Sequence, residues 1–260
     1  MYNFCVGALL RNESDSIVEW VEHYILHGVD HFYLIDDNSS DNSAELLKPY
    51  IEKNIVTLFQ AEWGSYLGRQ RDMYNHYILP RLHAKEMKWL AIVDLDEYLW
   101  SPRNIDLRIV LSECGHLGQI QFSHTLYGSS GHVNQPPSIV KHFTMRHEKN
   151  PTEEPGNYKY IMNSSFEFTS INVHHATFLN KENEKGKFII AGPDYFILNH
   201  YCCQSRNYWN TNKCTKGDSD AYRVRLESEF YKVDFNDVED LSLYNQNQNQ
   251  NQNQNLRKLL

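Results

Sequence analysis

At 260 residues, with 41% hydrophobic and 13% aromatic content, the chain can bury one sizeable core. Its formal charge of -8, from 33 acidic against 25 basic residues with no Lys/Arg-rich run, argues against a polyanion-binding surface and hence against a nucleic-acid partner. An acidic chain still binds a diphosphate when a divalent cation sits between the like charges, so a metal is expected.

The five cysteines form an odd set with an adjacent pair, Cys202 and Cys203, and show neither paired CxxC knuckles nor a secreted disulfide framework. A reducing compartment fits. Met1 to Leu10 has no basic region before its apolar run, and no stretch reaches bilayer-spanning length, so a soluble, cytoplasmic-type protein without an integral membrane segment is expected.

Tyr2 to Leu10 reads as a buried strand that feeds the polar loop Arg11-Asn12-Glu13. A helix follows: Ser16 and Glu19 have capping-box spacing, Ile17, Val21, Tyr24 and Ile25 share a face, and Gly28 supplies a stop. His31 to Ile35 is a second strand, ending in the turn and cap formers Asp36-Asp37-Asn38-Ser39-Ser40-Asp41 before a helix around Ala44 to Lys48. Ile55 to Phe59 supplies a third strand, and Arg69 to Leu79 another helix. Trp89 to Val93 is a continuous apolar run of the kind a strand buried on both faces requires, and Asp94-Leu95-Asp96-Glu97 follows it directly. This alternation predicts an α/β sheet whose ligands gather beyond the carboxyl ends of the strands, where all three polar clusters fall.

Beyond about Ser101 the pattern loosens, with strand-like pieces at Gln119 to Phe122 and Phe188 to Ile190 among loops rich in Gly, Asn, Ser and Pro. This half is expected to shape an acceptor site. Asn245 to Asn255 alternates Asn and Gln, with no side chain to offset the entropy of folding. The expected organisation is a catalytic domain over 1–240 and a disordered Asn/Gln-rich tail over 241–260.

Asp94 and Asp96, one residue apart after a buried strand, can direct two carboxylates into one pocket, and hard oxygen ligands suit Mn²⁺ or Mg²⁺. A solvated acidic turn is the competing explanation of a lone D-x-D. Asp36 and Asp37 can accept hydrogen bonds from ribose or base, leaving helix capping to Ser39, Ser40 and Asp41. Arg11, Gln70 and Arg71 are donor-side candidates, with surface salt bridging the alternative for the arginines.

Arg11-Asn12-Glu13, Glu19-Trp20, Gly28-Val29, Asp36 through Asp41, Trp89 through Tyr98, Tyr127-Gly128-Ser129-Ser130-Gly131-His132 and Asn199-His200-Tyr201 with Gln204-Ser205 occur in an order that resembles the family 92 glycosyltransferases and related family-2-like proteins. The resemblance covers nearly everything before the tail. It implies a GT-A fold, in which a Rossmann-like mixed sheet is flanked by helices, together with a nucleotide-sugar donor and divalent-metal dependence. By it, Asp94 and Asp96 match the metal motif, Asp36 and Asp37 the nucleotide region that also takes in Arg11, Asn12 and Glu13, and His200 a late metal ligand. Glu97 is expected to support the site from behind, and the Gly128 to Gly131 turn either approaches a sugar, with His132 the candidate acceptor base, or is a structural loop.

The implied reaction is transfer of a hexose, with galactose from UDP-galactose the working choice, onto a glycan or glycosylated acceptor with inversion. The rival from another class is an inactive transferase-like protein that binds a sugar or nucleotide. A nucleotidyltransferase would want a glycine-rich phosphate loop near the first strand, and a zinc hydrolase an HExxH helix. The sequence, with its 13 histidines, has neither.

Overall fold

The computed structural model describes residues 1–64, 66–149, 158–216 and 224–259. Its main sheet is built in chain order from β1 (Tyr2–Leu10), β2 (His31–Asp36), β3 (Val56–Gln60), β4 (Met87–Ile92), β5 (Glu97–Trp100) and β6 (Gln119–Leu126). After the short β7 (Met145–Arg146) come β8 (Tyr158–Asn163), β9 (Phe168–Ile171), β10 (Ala176–Phe178), β11 (Phe188–Ile190), β12 (Ile197–His200) and β13 (Val238–Glu239). The strand order is β3-β2-β1-β4-β8-β6-β12-β5, with β11 also paired to β6, while β9-β10 and β7-β13 form separate two-stranded ribbons.

The first four strands are parallel, as the alternation predicts, and β1 sits between β2 and β4. β8 then enters antiparallel between β4 and β6, β12 lies parallel to β6, and β5 closes the edge antiparallel to β12. The result is an α/β mixed sheet flanked by helices, as a GT-A fold requires. The second half of the chain completes the same sheet.

Period-two alternation divides the core between the two faces. Phe4, Val6 and Ala8 of β1, Trp89 and Ala91 of β4 and Ile120 and Phe122 of β6 face one layer. That layer holds Trp20, Val21 and Tyr24 of α1 (Ile17–Leu26), Leu47 of α2 (Ser43–Glu52) and Leu107, Val110 and Leu111 of α5 (Leu107–Glu113). Cys5 and Leu9, Leu90 and Ile92, and Tyr160 and Met162 face the other, against α3 (Arg69–Tyr77) and α4 (Leu79–His83). Each large side chain so buried contributes about 1.5–3 kcal/mol, so both helix layers hold the sheet firmly.

The expected single helix from Arg69 breaks at Ile78, next to Pro80, whose ring suits a helix start better than a helix interior. Gly28 ends α1 as expected: its φ is +90, and a Cβ there would run into the Asp106 carboxylate. The capping box, in contrast, is not made. Ser16 Oγ turns back to Glu13, and the Glu19 carboxylate instead accepts from Ser138 Oγ (2.7 Å), Ile139 N (2.6 Å) and Val140 N (3.2 Å). Glu19 thus satisfies the amide groups that open α6 (Ile139–His142), 120 residues away.

The segment read as a tail is helical over Ser242–Leu259. Its first turns dock: Leu243 is buried in the core, Gln246 Nε2 donates to Ser101 O (2.8 Å), and Asn247 Oδ1 lies 2.9 Å from His27 Nε2. The docking explains the departure from the expected boundary, because these amides find partners on the domain that the composition of the tract does not reveal. No helix among the described residues is long and apolar enough to cross a membrane, and all five cysteines are free.

Candidate functional site

The two loops that follow β1 and β2 are tied to one another. Asn12, at φ 52, accepts from Ser40 N through Oδ1 (2.6 Å), while its own N–H donates to Ser39 Oγ (2.9 Å). Glu13 N donates to Ser43 Oγ (2.8 Å), and Ser14 N to Asp41 Oδ2 (3.0 Å). Asn12 is therefore a loop clamp outside the cleft described below. So is Asp36, whose Oδ1 accepts from Ser39 N (2.8 Å) and performs the capping that the sequence reading left to its neighbours.

Asp37 points the other way, into a bidentate pair with Arg69 (Nη1 to Oδ2 2.7 Å) in which both side chains are buried. Arg69 also donates to the carbonyls of Gly64 and Trp63, which fixes the chain ahead of α3.

After β4 the chain turns sharply. Asp94 N donates to Glu97 Oε2 (2.7 Å), and Glu97 N returns to Asp94 O (3.2 Å). From α1, Trp20 Nε1 donates to both carbonyls of this turn (3.1 and 3.0 Å), and Tyr24 Oη adds a bond to Glu97 O. Trp20 and Tyr24 therefore serve the core and the site together. The turn brings a half-buried Asp94 and a buried Asp96 to the cleft and keeps Glu97 buried.

Each aspartate meets a lysine. Lys159 Nζ, from β8, lies 2.7 Å from Asp94 Oδ2 and 3.6 Å from Glu97 Oε2, and Lys213 Nζ lies 2.8 Å from Asp96 Oδ2. Among the described residues the second oxygens make only longer contacts: Gln70 Nε2 is 3.4 Å from Asp94 Oδ1, and His200 Nε2 is 3.5 Å from Asp96 Oδ1. His200 ends β12 opposite Glu97 of β5, and His124 of β6 places Nε2 2.7 Å from Glu97 Oε1.

Charge orders these groups. Burial opposes the ionised forms of Asp96 and Glu97, but Lys213 and His200 hold Asp96 well below the usual carboxylate range, and Lys159 and His124 hold Glu97 down to about 2. Burial pulls His200 down as well, yet the Asp96 carboxylate outweighs it and lifts the imidazole to about 9 in the metal-free protein. Burial prevails at His124, which is lowered despite Glu97. Glu13, enclosed beside the cleft, is pushed up to about 7 by burial against the pull of Lys216 and Lys213.

One cleft of about 490 Å³ is lined by Arg11, Glu13, Asp37, Gln70, Asp94, Asp96 and His200, with Glu97, His124 and Lys159 behind it. Of the residues expected from sequence it leaves out Asn12, Asp36, Arg71 and His132. Arg71 pairs with its neighbour Asp72 at the surface. His132 sits elsewhere, with Nε2 3.1 Å from the carbonyl of His142 and its ring against Phe143. The Gly128 turn before it packs on the chain: Ser129 N and Ser130 N donate to Asp234 and Asn236, and a Cβ on Gly128 would strike the Phe235 carbonyl. A bound sugar has no claim on that approach.

The cleft also holds residues the sequence reading missed: His174, Tyr208, Lys213 and Lys216. Lys213 ends the π-helical stretch Trp209–Lys213, a geometry often found at functional sites. A lysine inside the apolar strand Tyr158–Asn163 was the one available signal for Lys159, since a fully buried ammonium needs carboxylate partners.

The donor set fits a hard or borderline divalent cation. Asp94 Oδ1 and Asp96 Oδ1 lack a short partner among the described residues, and His200 Nε2 lies 3.5 Å from Asp96 Oδ1. A second grouping, Glu97, His124 and His200, is the one among the described residues that already brings three ligand atoms within 4.8 Å of one another, which Asp94, Asp96 and His200 do not, and Nδ1 of both its imidazoles is buried and unbonded. His200 belongs to both.

Paired carboxylates and basic side chains gathered beyond the strand ends of an α/β mixed sheet stand where such sheets bind their ligands. Residues 1–257 match the model of one family, Glycosyltransferase family 92, and the chain belongs to that family. A glycosyltransferase family 92 protein of Oryza sativa subsp. japonica is 25% identical over 246 residues, 92% of this chain and 38% of its own length. One from Ricinus communis is 24% identical over 226 residues, 82% of this chain and 36% of its own. The chain thus spans little more than a third of these curated relatives. Among solved structures, S. aureus TarS 1-349 in complex with UDP-GlcNAc aligns with 89% of this chain and 64% of that chain at 14% identity, with a TM-score of 0.43.

Proposed function

We propose that the chain is a metal-dependent glycosyltransferase that moves a hexose from a nucleotide-sugar donor, with UDP as the nucleotide and galactose the first sugar to screen, onto a glycan or glycosylated acceptor with inversion. One observation carries this reading: Asp94 and Asp96 share a cleft with Arg11, Lys213 and Lys216, so paired carboxylates and cations surround a single space. Asp94, Asp96 and His200 would hold Mn²⁺ or Mg²⁺, which when bound offsets the charge that develops on a departing nucleoside diphosphate.

The chain's own residues supply the rest. Asp37, fixed by Arg69, lies at the nucleotide end of the cleft and keeps one rigid acceptor surface there. Lys159 holds the Asp94 carboxylate in register, so that little reorganisation is needed when the donor arrives. Inversion requires a group that takes the acceptor hydroxyl proton on the face away from the diphosphate. His174 has the right chemistry: Nδ1–H donates to Tyr158 O (3.1 Å), which in the neutral ring leaves Nε2 as the acceptor. In this reading it replaces His132 as the candidate base.

The rival, a binder without turnover, draws support from the two lysines already paired with Asp94 and Asp96. Incubation with a panel of UDP- and GDP-sugars in Mn²⁺ separates the two. A transferase releases nucleoside diphosphate in an acceptor-dependent manner, and binding of UDP without release from any donor would sink the catalytic reading.

A further inference from the structure

The two lysines paired with Asp94 and Asp96 are held differently. Lys159 comes from a central strand, is fully buried and bridges two carboxylates, Asp94 and Glu97. It has nowhere to go. Lys213 comes from the end of the π-helical stretch, its side chain is 27% exposed, and among the described residues it makes one carboxylate contact, to Asp96 Oδ2. It also lines the cleft in which Lys216 and Arg11 stand.

A divalent ion on Asp96 and an ammonium 2.8 Å from the same carboxylate repel one another, and inside a partly desolvated cleft that repulsion is weakly screened. A diphosphate in the cleft offers the ammonium a better partner than a carboxylate already shared with a cation. We propose that Lys213 is an exchangeable counter-cation: it neutralises Asp96 in the empty cleft and turns onto the donor diphosphate when Asp96 binds the cation. The inference rests on the reading of the cleft as a nucleoside-diphosphate site. Its thermodynamic signature is reciprocal. Whatever draws Lys213 away from Asp96 strengthens cation binding, and whatever binds at Asp96 frees Lys213 for the diphosphate.

The test is calorimetric titration of the full chain with Mn²⁺ alone, with UDP alone and with UDP in saturating Mn²⁺, for wild type, Lys213→Gln and Lys213→Arg. Circular dichroism establishes that each is folded. Lys213→Gln should bind Mn²⁺ alone about fivefold more tightly, because the competing charge is gone, and should bind UDP in Mn²⁺ about tenfold more weakly, because a charged phosphate contact is lost. Lys213→Arg keeps the charge and should restore UDP binding to within about threefold of wild type. Opposite signs are the point, since general damage to the site weakens both ligands. Parallel weakening, or affinities in Lys213→Gln that match wild type while wild type binds UDP, overturns the inference and leaves the donor reading intact. Failure of wild type to bind UDP under either condition overturns the donor reading itself, and this inference with it.

Discussion

The first hundred residues and the rest of the chain build the same sheet by different means. β1 to β4 are joined by helical crossovers: β2 pairs with β1 and β3 with β2, each one crossover on, and β4 returns to the other side of β1. β8 and β12 instead insert by long-range antiparallel and parallel pairings, β12 also pairing with β5 at the end of the first hundred residues, and they bring Lys159 and His200 to Glu97, 62 and 103 residues away in the chain. The first half supplies the carboxylates and a rigid floor. The second half supplies the cations and imidazoles that set their charge. A site built this way shows half its chemistry in local motifs and hides the other half in topology.

The firmest element of the first half should be the Asp37–Arg69 pair. Arg69→Met keeps the bulk but strands a buried carboxylate, so folding stability should fall by about 3–5 kcal/mol in chemical denaturation. A loss under 1 kcal/mol would mean that Asp37 finds water there and that the floor is not rigid.

Next in size is the joint between the halves. Asp94→Asn or Asp96→Asn keeps approximate size, removes the charge a hard cation needs and leaves Lys159 or Lys213 without its carboxylate. Nucleotide release should fall by roughly two orders of magnitude, about 3 kcal/mol of transition-state stabilisation, with the circular dichroism spectrum kept. If both variants turn over at the wild-type rate with an unchanged Mn²⁺ midpoint, the acidic turn is a surface feature and the proposed reaction loses its support.

The sequence exposes the elements that local chemistry dictates. The run Trp89 to Val93, the stop at Gly28 and the three polar clusters at strand ends all stand where the periodicity puts them. What it hides are partners chosen by tertiary proximity. Asp36 and Asp37 are adjacent and chemically identical, yet one caps its own turn and the other crosses to Arg69. Glu19 stands at capping-box spacing from Ser16 but has three donors closer to hand on another element. His132 sits in a glycine-rich motif that suggests catalysis, and only the path of residues 234–236 shows that the turn is packed shut. Lys213 carries no motif at all.

Glu19 offers a milder probe of the comparison, because it belongs to the first half and stabilises the second. Glu19→Ala removes the acceptor for two backbone amides and a hydroxyl at the start of α6 and should cost about 1–2 kcal/mol, with Glu19→Gln intermediate. Hydrogen exchange should report the loss at residues 139–142 rather than in α1. Uniform loss of protection across α1 would instead show that Glu19 serves its own helix.

The smallest effect at neutral pH concerns the contact between His27 and the C-terminal helix. Burial lowers His27 to about 4 from an ordinary 6.5, against the opposing pull of Asn247 and Asp106, while His23, its ring tilted against that of His27 with centroids 4.3 Å apart, is also driven down by burial. The folded state therefore keeps His27 neutral where the unfolded chain would already take up a proton. Stability from this site is complete above about pH 6.5 and is lost as pH falls from there toward 4, at about 1.4 kcal/mol per pH unit for one proton. His27→Gln keeps an amide able to donate to Asn247 Oδ1, so its cost at pH 7 should stay within about 1 kcal/mol. On acidification the variant should lose stability less steeply than wild type, by one proton's worth of slope, with His23 accounting for slope that remains. Denaturation midpoints between pH 7 and pH 4.5 measure this, and a truncation after Ser242 gives the second arm. Removing that helix uncovers the ring, and because burial is the larger influence its affinity for protons should rise toward the ordinary value and the slope should flatten. Parallel pH profiles for wild type and His27→Gln would show that His27 is solvated, and that the amide-rich helix does not seal it.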